Sequence, residues 1–207
     1  MGYKHNYSNI ICIGDEFTDE INQYKKLNIF NFFKEKEYEF KSYPQLLGEQ
    51  LNCPWEIFAK NDITTTESIS QLTNNLDYIF SLNNPLVIFQ FGDFFNPIFD
   101  NNYRLMHKSV DEIKNFIILE NIQNFINISE LIHKYKSIDV FGFFMYLPNV
   151  ELPNTKHILK SFKTGSDYER ISNVFTEMSN LNLKSTNGNI KLSNMILRDL
   201  FPSKNLF

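Results

Sequence analysis

The 207-residue chain has only two cysteines, one tryptophan and one alanine, Ala59. Cys12 and Cys53 cannot supply a disulfide framework and lack the paired spacing of a zinc site. Each sits in or beside an apolar run, so both read as buried thiols of a protein kept in a reducing compartment. No apolar stretch approaches the ~18 residues that a membrane span needs, and Met1 to Asn9 is polar, so neither a signal peptide nor a membrane span is expected. Positive charge is also short. Lys and Arg number 20 against 24 Asp and Glu, giving a net charge of -4. That balance lacks the field that neutralises phosphates, and nucleic acid is not an expected partner. The scarcity of alanine and of arginine (Arg104, Arg170 and Arg198) beside abundant Asn, Ile, Lys and Phe points to an AT-rich coding sequence and implies no mechanism. What is present is ample for folding. The hydrophobic fraction of 43% excludes disorder as the main state. A chain of this length buries about 70% of its unfolded surface and forms one domain without disulfides or metal.

Hydrophobic periodicity sets the expected order of elements. Asn9 to Ile13 is a short β-branched run ending at Gly14, a buried strand followed by a turn. A charged, Phe-containing segment at about 20–41 has no clean period and reads as an insertion. Tyr43 to Leu51 carries Leu46, Leu47 and Leu51 at helical spacing, and Trp55 to Ala59 reads as a second strand. Thr64 to Thr66 offer capping side chains for a helix that continues through Ile69, Leu72, Leu76, Ile79 and Phe80 to about Asn83. Leu86 to Phe91 is apolar except for Gln90, as in a strand buried on both faces. Val110 to Tyr135 predicts one long helix or two short ones, Ile138 to Leu147 a fourth strand, and Asp167 to Met178 and Ile190 to Leu200 two further helices. Alternating strands and helices imply an α/β fold, a doubly wound parallel sheet of four or five strands with the first one internal.

In such a sheet ligands bind beyond the carboxyl ends of the strands. The segments there are Gly14 to Thr18, Ala59 to Thr65 and Gly92 to Asn96. The succession IICIGDEFTDE, YPQLLGEQLN, AKNDITTTESI and LVIFQFGDFFNP resembles the order of blocks in the SGNH, or GDSL, hydrolases. The resemblance covers roughly the first half of the chain, and the second half only through element order. It implies a three-layer, flavodoxin-like sheet and a single SGNH-hydrolase-like domain of the phage or viral type. It also implies four catalytic positions, and the sequence departs from the family at each. The serine position carries Glu16, the oxyanion glycine falls on Asp62 (Asn61 under a shifted alignment), the oxyanion asparagine on Phe94, and the segment around Leu183 has no histidine. A carboxylate at the serine or oxyanion positions would repel the oxyanion such a site must stabilise. The resemblance therefore implies the scaffold without the hydrolase, acting through a protein partner or self-assembly, within a virion or another large assembly, in the cytoplasm or in the virion itself. The alternative is an esterase or acetyl-hydrolase with relocated groups, His157 as base and Ser161 or Ser166 as nucleophile.

Two further features admit two readings each. Asp15, Glu16, Asp62 and Asp93 could hold Mg²⁺ or Ca²⁺ at the strand ends, or Asp15 and Asp62 could cap helices while the other two stay solvated; no cofactor is expected. Phe30, Phe32 and Phe33 in the insertion, with Phe94 and Phe95, could form an interface, or the insertion could fold back over Phe94 and Phe95.

Overall fold

The computed structural model describes residues 5–15, 18, 41–60, 63–92, 94, 110–144 and 186–201. Among the described residues four strands form one parallel sheet: β1 (Ile10–Gly14), β2 (Trp55–Ala59), β3 (Leu86–Phe91) and β4 (Asp139–Phe144), in the order β2-β1-β3-β4. Five helices among these residues accompany them: α1 (Tyr43–Leu51), α2 (Thr65–Asn74), α3 (Leu76–Ser81), α4 (Val110–Lys136) and α5 (Thr186–Leu200). The first strand is internal, with Cys12 opposite Ile57 of β2 on one side and Ile88 of β3 on the other. The order is compatible with a flavodoxin-like sheet.

Strand alternation divides the core into two layers. Ile11, Ile13, Val87, Phe89, Phe91, Val140 and Phe144 point to one face, where Ile69, Leu72, Ile79, Ile122 and Phe125 of α2, α3 and α4 cover them. Ile10, Cys12, Leu86, Ile88, Phe141 and Phe143 point to the other, against Leu47 and Leu51 of α1 and Leu192, Ile196 and Leu197 of α5. This division follows from the strand order. The step from β1 to β2 goes one way and the step from β2 to β3 goes back past β1, and right-handed crossovers then put the connecting helices on opposite faces. Buried from both sides, β1 and β3 read as nearly unbroken apolar runs.

Local chemistry sets the element ends. Thr64 caps α2 in a capping box, its hydroxyl accepting from the Glu67 N–H while the Glu67 carboxylate accepts from the Thr64 N–H at 2.7 Å. Asn52 ends α1 in the left-handed conformation, φ 52°. The single helix expected from Thr64 to Asn83 is in fact two. The Asn75 amide donates back to the Gln71 carbonyl at 2.8 Å, and its backbone, at φ -104° and ψ 9°, leaves the helical region before α3 begins. Val110–Lys136 is one helix, and β4 ends at Phe144, with 145–147 outside the described residues. The Asp167 to Met178 helix and most of the 20–41 insertion also lie outside them. Among the described residues no helix is long and apolar enough to cross a membrane.

The amino edge of the sheet is fastened by the segment before β1. The Tyr7 hydroxyl donates to Asp139 at the start of β4, 2.6 Å away, and the His5 ring hydrogen-bonds the Leu51 carbonyl at 2.6 Å while accepting from the Tyr7 N–H. Burial and the Asp139 carboxylate together raise the Tyr7 pKa well above its ordinary value. Cys12 and Cys53 are both free and buried, and burial pushes both thiols up.

Candidate functional site

At the carboxyl edge of the sheet, between β1 and β3, the chain builds a buried polar chain. It starts from Gln90, the one polar side chain of β3, fully buried on the α1/α5 face. Its amide nitrogen donates to Asp15 Oδ1 at 2.6 Å, and its carbonyl accepts from the Thr18 hydroxyl at 2.5 Å. Thr18 has a single proton to give, so the Tyr43 hydroxyl, 2.8 Å from Thr18 Oγ1, is the donor in that pair. The bonds therefore all run one way, from Tyr43 through Thr18 and Gln90 to the Asp15 carboxylate. Such a run is mutually polarised, and in a dry environment it is worth more than its separate bonds. Asp15 is 3% exposed and Thr18, Tyr43 and Gln90 are fully buried, so every member depends on its neighbours for hydrogen bonds.

The chain is extended and braced from the helices. Tyr43 opens α1, and its N–H, one of the donors a helix start leaves unsatisfied, is accepted by Asn189 Oδ1 of α5 at 2.8 Å. Ser42 stands at the capping position, yet its hydroxyl makes no capping bond. On the opposite face Thr65, at the start of α2, donates to the Gly92 carbonyl at 3.1 Å, and Thr66 donates to Asn121 of α4 at 2.9 Å.

The glycines here supply room. Neither Gly14 nor Gly92 has a positive φ, so backbone freedom is not what these positions need. A methyl on Gly92 would overlap the Asp15 carboxylate, whose Cγ would lie 2.8 Å away, and one on Gly14 would meet Gln90 Cβ at 2.9 Å. Both glycines let the Asp15 and Gln90 side chains close on each other across the strand ends.

Of the positions singled out in the sequence, the structure places two. Asp15 lies inside this buried chain, accepting from Gln90 in a role that neither cation binding nor helix capping anticipated. Phe94 is half-buried, its ring 6.3 Å from both Phe91 and Phe144 at the edge of the α2/α4 core. Glu16, Asp62, Asp93, Phe30, Phe32, Phe33, Phe95, His157, Ser161, Ser166 and Leu183 lie outside the described residues. Among the described residues, no three His, Cys, Asp or Glu side chains gather as a metal site would need. Sequence reasoning missed Thr18, Tyr43, Gln90 and Asn189 as a group. The one available signal was Gln90 itself, a polar interruption in a strand otherwise apolar from Leu86 to Phe91. No protein-family model and no curated protein sequence matches this chain.

Proposed function

We propose that this chain is an SGNH-hydrolase-like scaffold that does no hydrolysis and acts through protein contacts, as a structural or accessory part of a larger assembly, such as a virion. The observation that carries the reading is the buried polar chain at the carboxyl edge. Where the resemblance calls for a hydroxyl nucleophile and oxyanion donors, the Tyr43 and Thr18 hydroxyls and the Gln90 amide described there are committed to a run of hydrogen bonds that ends on the Asp15 carboxylate. The position assigned to the oxyanion asparagine carries the Phe94 ring, which leans on Phe91 and Phe144 and has no donor to offer. Glu16 stands at the serine position and has no hydroxyl for an acyl-enzyme. Fold alone implies no activity, and a scaffold stripped of its reacting groups is useful for what docks on it. The cluster of rings Phe30, Phe32 and Phe33, flanked by the charges Lys25 and Lys26 before it and Lys34 to Glu37 after it, together with Phe94 and Phe95, is a second support for a contact role.

The test is an ester assay. Purified protein should turn over aryl and acetyl esters no faster than a heat-killed control, and Glu16→Ser alone should not restore activity, because groups of a catalytic triad act as a unit. Robust hydrolysis by the unmodified protein that disappears on changing His157 would replace this reading with that of a relocated esterase.

A further inference from the structure

We draw no further inference here: the strongest candidate, the apolar outer face of α4 that exposes Phe116, Leu119, Leu131 and Tyr135, carries nothing because nothing among the described residues shows what covers it.

Discussion

Replacing Gln90 with leucine removes the middle of the buried polar chain while keeping the volume of β3 nearly constant. Asp15, 3% exposed, loses the amide donor 2.6 Å from its Oδ1. A buried acceptor left short costs about 1–3 kcal/mol, and a carboxylate falls at the upper end. Thr18 loses the carbonyl it donates to but keeps Tyr43, so its share is about 1 kcal/mol. Leucine returns part of this, about 1 kcal/mol, by burying more apolar surface. The net loss is about 3 kcal/mol, and at roughly 2–4 °C per kcal/mol for a chain of this size Tm should fall by about 6–12 °C. Urea unfolding of the parent, Gln90→Leu, Asp15→Ala and the double variant completes the argument, because directly bonded partners must be non-additive, here by about 1.5–3 kcal/mol. A Gln90→Leu protein within about 0.5 kcal/mol of the parent, or strict additivity with Asp15→Ala, would show that the chain of bonds does not hold the carboxyl edge together.

Two further outcomes follow from the same structure. Gly92→Ala should cost about 2–3 kcal/mol, because its methyl must displace the Asp15 carboxylate from Gln90; a neutral result in the same unfolding assay would refute the close approach of Gly92 to Asp15. Tyr7→Phe should cost about 1–2 kcal/mol at neutral pH through the lost bond to Asp139. The folded state raises the Tyr7 pKa above its ordinary 10.0, so this stabilisation is complete below that pH and is lost as pH rises beyond it. The gap between parent and variant should therefore narrow above about pH 10, and a gap constant to about pH 11 would show that the phenol is not linked to folding.

The sheet was legible because its strands are short apolar runs with sharp ends. Ile10 to Ile13 stops at Gly14, and Leu86 to Phe91 stops at Gly92, so parallel pairing and an internal first strand followed from alternation with helices. The break at Asn75 was not legible, since the residues around it keep helical spacing and only the asparagine's own bond to the Gln71 carbonyl diverts the backbone. The site was read from charge and family order, which drew attention to carboxylates at the strand ends. Its described part is organised instead by uncharged groups brought together over long separations. Asn189 lies 146 positions from the Tyr43 N–H it caps, and no local pattern announces that pairing. Asp15 alone belongs to both accounts.

Trp55 opens the edge strand β2 with its ring against Gly48 of α1, close enough that a methyl on Gly48 would lie 2.9 Å from the ring's Cδ2. As the chain's only tryptophan, it gives the protein a single optical reporter, placed at one corner of the fold. The indole is 37% exposed, whereas β1 beside it is fully buried, so this corner is the natural place for local opening to begin. Selective indole excitation then reports the lifting of α1 from β2, as a red shift in emission, while circular dichroism reports the loss of the helices as a whole. The separation between the two transitions measures how independently the edge of the sheet unzips from its centre.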